Sequence, residues 1–123
     1  MRWTHAAHLT VGSHFVFSLP LEDALVAMRG GVRAYNESVG TPNTDTSGYH
    51  ETLTRMWLMV LAALNDAEKP FDALCFAQTA VRQYGHRRDL HTRLYSFDVV
   101  KDSHARRQWM APDILPAGGI LHC

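Results

Sequence analysis

The sequence predicts an all-α domain, an up-down four-helix-bundle-like fold with one or two short extra helices near the C-terminus. Three observations lead there. Apolar residues recur at alternating spacings of three and four along several stretches, which is the period of one helix face. Alternating strand patterns are almost absent. Proline, glycine and small polar residues fall mainly between the periodic stretches, where they separate helices. The 123 residues suit one domain, expected over residues 1–113, with an irregular tail over residues 114–123. A chain of this length can build a core without a disulfide or a structural metal.

The first helix is expected from His5 to Phe17. Thr4 is placed to cap it, and His5, His8, Gly12, Phe15 and Leu19 share one face. Gly12 and Ser13 weaken it. Pro20 opens the second helix, with Glu22 and Asp23 in the first turn, where the helix dipole favours acids. Leu21, Leu25, Met28, Val32, Tyr35 and Val39 form its apolar seam. Gly30-Gly31 predicts a kink or the close approach of a neighbour, and Gly40 predicts the stop.

Residues 41–48, Thr-Pro-Asn-Thr-Asp-Thr-Ser-Gly, predict a loop that is long for a simple connection. Its expected role is a lid over the end of the bundle. The third helix is expected from about Tyr49 to Asn65, with Leu53, Trp57, Val60 and Leu64 on its seam. Glu51 and Arg55 stand four apart and predict an ion pair on the helix surface. The fourth helix starts at Lys69-Pro70, runs through Leu74, Ala77, Val81 and Tyr84, and stops at Gly85. A shorter fifth is expected over Asp89 to Phe97, and Lys101 to Met110 adds a last turn or two.

Composition narrows the function classes. Lysine plus arginine equals aspartate plus glutamate, so the formal charge is zero. Nucleic-acid binders carry a clustered basic footprint, and none is seen, so no nucleic-acid partner is expected. Balanced charge is compatible with a homodimer. The longest apolar run, Met56 to Leu64, is too short to span a bilayer, and no signal peptide is recognisable. A cytoplasmic chain without membrane contact is the expectation. Cys75 is expected to be a small buried residue and Cys123 a loose terminal thiol, in a reducing compartment. Histidine is the unusual residue, with eight copies.

Placement gives the histidines a role. In an up-down bundle the first and third helices run parallel, so their N-termini share one end. His5 and His8 stand in the first two turns of the first helix. His50 continues the seam of the third helix outward. Packed helices sit roughly 8–10 Å apart, close enough for imidazoles from two of them to converge. His5, His8 and His50 are therefore candidate ligands of one divalent transition metal, zinc, iron, copper or nickel, with an open fourth position. Glu51 is the candidate general base or fourth ligand. Tyr35, Asn36 and Tyr84, from the ends of the second and fourth helices, could supply hydrogen bonds to a small-molecule ligand. No familiar catalytic metal signature is present, neither H-E-x-x-H nor the E-x-x-H of di-iron bundles. His14, His86, His91, His104 and His122 are given surface roles or none.

The pattern Thr4-His5-x-x-His8-Leu9, Tyr35-Asn36, Gly40-x-Pro42-Asn43-Thr44, Gly48-Tyr49-His50-Glu51-Thr52-x-Thr54-x-x-Trp57, Tyr95-Ser96 and Ala105-Arg106-Arg107 to Pro112-Asp113 resembles a family of small, uncharacterised bacterial proteins. Its marks are a T-H-x-x-H start and a central Y-H-E-T-x-T segment. The resemblance implies that His5, His8, Tyr49, His50, Glu51 and Thr54 belong together, and it adds Arg106 and Asp113 as polar candidates. It lends no mechanism. The chain departs from the pattern at Ala7, where many relatives carry Glu.

The leading functional expectation is a metal-dependent enzyme acting on a small polar molecule, with Glu51 or Tyr49 moving a proton. Two alternatives stand beside it. One is a metal-free histidine pocket that binds or acid–base processes a small ligand. The other is a homodimeric interaction module with structural histidines.

Overall fold

The computed structural model describes residues 4–122, with side chains to Gly119, so Cys123 and the His122 side chain lie outside the described parts. Helix α1 covers His5–Ser18, α2 Leu21–Ser38, α3 Glu51–Glu68, α4 Ala73–Tyr84 and α5 Ser103–Arg107. Two 3-10 turns cover Leu90–Arg93 and Ala117–His122. The fold is the expected helical bundle with short C-terminal helices. No helix among the described residues is long and apolar enough to cross a membrane.

Local chemistry starts most of these helices. The Thr4 hydroxyl accepts from Ala7 N at 3.1 Å, Asp72 accepts from Cys75 N and Asp102 from Ala105 N. Each satisfies a backbone N–H that helix geometry leaves without a partner. Helix α2 has no side-chain cap. Its first turn is served by Pro20, Glu22 and Asp23. It ends as expected, with Gly40 in the left-handed region at φ 79°.

Helix α3 is the axis of the molecule. It touches α1, α2, α4, α5 and the Ala117–His122 turn. Met56, Leu58, Val60, Leu61 and Leu64 are all buried, an arc wider than the predicted single seam. Helix α1 packs chiefly on α4 and α3. At Gly12, an added Cβ would stand only 3.2 Å from Leu61 Cδ1 and 3.3 Å from Leu58 Cδ2. That glycine is the close approach, whereas Gly30 and Gly31 face open space and α2 continues unbroken through them.

The structure corrects other local expectations. Glu51 does not pair with Arg55. Each reaches across to α2 instead, Glu51 to Arg29 at 2.7 Å and Arg55 to Glu22 at 2.7 Å. The fifth helix expected over Asp89 to Phe97 shrinks to the 3-10 turn Leu90–Arg93. Leu74 and Cys75 are exposed, and Phe76, Ala77 and Ala80 carry the buried face of α4. The tail is not wholly irregular. Ala117 is buried and Ile114 N donates to Leu94 O, and just before the tail Asp113 accepts from Ser96 N and hydroxyl. Thr52, fully buried, fastens the segment before it by donating to Gln108 O at 2.8 Å and accepting from Met110 N at 3.0 Å.

Candidate functional site: two cavities that share Tyr49

The N-termini of α1 and α3 do meet at one end of the bundle. The His5 ring lies 4.8 Å from the Trp57 ring, edge-on, and Trp57 in turn meets Tyr84 at 5.9 Å. Between these helices opens a cavity of about 470 Å³. Its floor is apolar, built from Leu9, Met28, Val32, Leu53, Trp57, Leu58 and Leu61. Its polar lining comes from His5, His8, Tyr49, His50, Thr54, Arg88 and His91.

His50 stands outside the first turn, as the N-cap of α3. Its Nδ1 accepts from Leu53 N at 3.1 Å, and its Nε2 donates to Val99 O at 2.8 Å. That fixes one neutral tautomer. Both ring nitrogens hold the backbone, so no lone pair is left for a metal. Burial holds its pKa below the ordinary value of 6.5, and the charge of Arg106 adds to this against the Val99 bond. The expected three-histidine set therefore lacks its third ligand. Among the described residues no three His, Cys, Asp or Glu side chains are grouped to hold one ion.

His5 donates from Nε2 to Tyr84 O at 2.9 Å, and His8 from Nδ1 to Thr4 O at 3.0 Å. Burial lowers the pKa of both, outweighing the carbonyl bonds that raise them, and the Arg88 charge lowers both further. Near neutral pH each is an uncharged imidazole beside a guanidinium.

Tyr49 also lines a second cleft of about 470 Å³ on its other side. This one is polar, bordered by Arg29, Arg33, Asn43, Thr44, Asp45, Glu51, Arg106 and Arg107. Glu51 belongs here and does not line the histidine cavity. Arg29 grips it with two bonds of 2.9 and 2.7 Å, and the Tyr49 hydroxyl donates to it at 2.7 Å. Burial would raise the Glu51 carboxyl, but these bonds hold it below its ordinary value. Burial and the Glu51 carboxylate push the Tyr49 phenol far up. Glu51 is thus a fixed anion and Tyr49 a fixed donor, which suits neither to the proton-transfer role expected of it.

The segment 41–48 is a clasp rather than a lid. Asn43 accepts through Oδ1 from Asn36 Nδ2 and Tyr49 N, and donates to Arg33 O. Thr44 N donates to Ser47 O. Gly48 sits at φ 79°, where an added Cβ would fall 2.5 Å from Pro42 O. Arg106 Nη1 donates to Gly48 O at 2.8 Å.

Of the predicted site residues, His5, His8, Tyr49, His50 and Thr54 line the first cavity, and Tyr49, Glu51 and Arg106 the second. Tyr84 supports the first from behind, through its carbonyl and its ring on Trp57. Tyr35 and Asn36 line neither. Asn36 holds the clasp instead. Sequence reasoning missed Arg29, Arg33, Asn43, Arg88 and His91. Arg29 and Arg33, four apart on α2, offered a helical-spacing signal. Arg88 and His91 follow the end of α4 in a stretch with no period to place them. No family model, curated protein or solved structure matches the chain.

Proposed function

We propose that the protein binds, without a metal, a small amphipathic molecule with an apolar body and an acidic head in the histidine-lined cavity. One observation carries this. The cavity combines an apolar floor with neutral imidazoles and the Arg88 guanidinium. Arg88 forms no ion pair among the described residues. The volume of about 470 Å³ falls in the range of roughly 300–1,000 Å³ that small-molecule sites occupy. An acidic head would find a cation and imidazole partners, and its tail would cover the leucines and Trp57.

Binding is favoured over bond making because Glu51 and Tyr49 hold each other. Any proton transfer here falls to His5 and His8, whose lowered pKa values leave them neutral, with a ring nitrogen able to accept a proton. Against the metal-dependent alternative stands the engagement of both His50 nitrogens.

Calorimetry with octanoate, octanol and octylamine tests the proposal. Octanoate should bind, octylamine should not, and Arg88→Gln should weaken octanoate by about tenfold. Equal binding of octanoate and octanol would remove the acidic head. Binding of none would remove the ligand class. Metal content that is stoichiometric in untagged protein and lost in His5→Ala would reinstate the metal centre.

A further inference from the structure

The second cleft is independent of the ligand proposed for the first, and its charge is unbalanced. Four arginines face two carboxylates, Asp45 and Glu51. Arg29 is committed to Glu51 and Arg106 to the Gly48 carbonyl. Arg107 reaches Asp45 at 2.8 Å, but both side chains are about half exposed, at 48% and 60%, so water competes for that pair. Arg33 is exposed and makes no ion pair among the described residues. It lies one helical turn from Arg29 on the same face.

The wall opposite is preset. Asn43 is fixed by three hydrogen bonds, and Gly48 takes a backbone conformation that other residues rarely adopt. Thr44 Oγ1 accepts from Thr46 N at 3.3 Å, which leaves its hydroxyl hydrogen to donate into the cleft. Cations and donors that need little rearrangement bind an anion at low ordering cost.

We infer that this cleft is a binding site for a phosphoryl group, with Arg33 and Arg107 as its principal ligands and Thr44 as a neutral donor. The excess of two positive charges matches a dianion, and a phosphate monoester approaches that charge at neutral pH, its second pKa being about 6. A carboxylate would offset only half of the excess. Planar guanidinium forks suit two phosphoryl oxygens at once.

The test is calorimetric titration with inorganic phosphate and with glycerol 3-phosphate at low ionic strength, against chloride at matched ionic strength. Saturable one-to-one binding is expected. Arg33→Ala should weaken it by at least about tenfold, and Arg33→Lys should keep part of it. Tighter binding of glycerol 3-phosphate identifies an esterified phosphoryl group as the ligand, and equal binding the free anion. Phosphate binding no stronger than that of chloride overturns the site, as does binding untouched by both Arg33→Ala and Arg107→Ala. Arg33 is exposed, and far-UV circular dichroism confirms that each variant is folded.

Discussion

At the scale of single residues, His50 shows how one side chain can join two parts of the fold. Its Nδ1 closes the first turn of α3, and its Nε2 anchors Val99, forty-nine positions later in the chain. Removing it strips a helix cap and leaves a buried carbonyl without its donor. His50→Ala should therefore cost about 2–4 kcal/mol, the sum of a lost cap and an unsatisfied buried group. His50→Asn restores an acceptor at the cap position but cannot reach Val99, so it should cost about half as much. Urea unfolding of the three proteins measures this. Equal losses for Ala and Asn would mean that the cap contributes nothing. The sequence placed His50 at the bundle end, where it lines the first cavity, but on the helix seam rather than outside the first turn as its cap. Its partners were not legible, since Val99 lies in a stretch without periodicity, and an imidazole cap has no sequence signature comparable to serine or aspartate.

At the scale of elements, the long helices were legible because each buries a stripe against a neighbour, and that stripe is written in the spacing. The glycines were not legible in the same way. A glycine in a helix can mark a kink, a close contact or nothing, and only the neighbouring element decides which. Gly12 lies against Leu58 and Leu61, while Gly30 and Gly31 meet nothing within 4 Å. The double variant Gly30→Ala/Gly31→Ala should stabilise the fold by about 1–2 kcal/mol, since each alanine loses less chain entropy in a helix interior. Gly12→Ala behaves differently. Its Cβ presses on two leucine methyls that border the first cavity and can yield into it. The helix gain and the packing strain then nearly cancel, leaving a change under about 1 kcal/mol. Gly12→Leu has no such room and should destabilise by about 1–3 kcal/mol. Thermal unfolding of the set checks the order, and a destabilised Gly30/Gly31 variant would show that α2 needs its glycines.

At the scale of the whole molecule, the meeting of α1 and α3 at one end followed from topology alone, and so did the presence of His5 and His8 beside the N-terminus of α3. The division of that end into two cavities did not. It depends on the direction of one ring, Tyr49, and on Arg29 claiming Glu51 across the α2–α3 interface, and helical spacing specifies neither. The same burial that shapes the cavities fixes how stability responds to pH. His5, His8 and His50 have pKa values lowered from 6.5 by burial, so the unfolded chain binds these protons more readily. Their contribution is complete above 6.5 and is lost as pH falls from there toward the folded values. Glu51 is lowered from 4.5, so its ion pair with Arg29 holds until more acidic conditions and then fails. Burial raises Tyr49, Tyr84 and Tyr95, the last to about 12, so their contribution is complete below 10 and is lost as pH rises beyond it. Stability should therefore form a plateau between 6.5 and 10, with a first descent below about pH 6.5 that belongs to the histidines. Urea midpoints across that range measure it, and His8→Gln should flatten the first descent without moving the alkaline one. A midpoint that stays level down to about pH 5 would mean that the three imidazoles accept protons as freely in the folded bundle as in water.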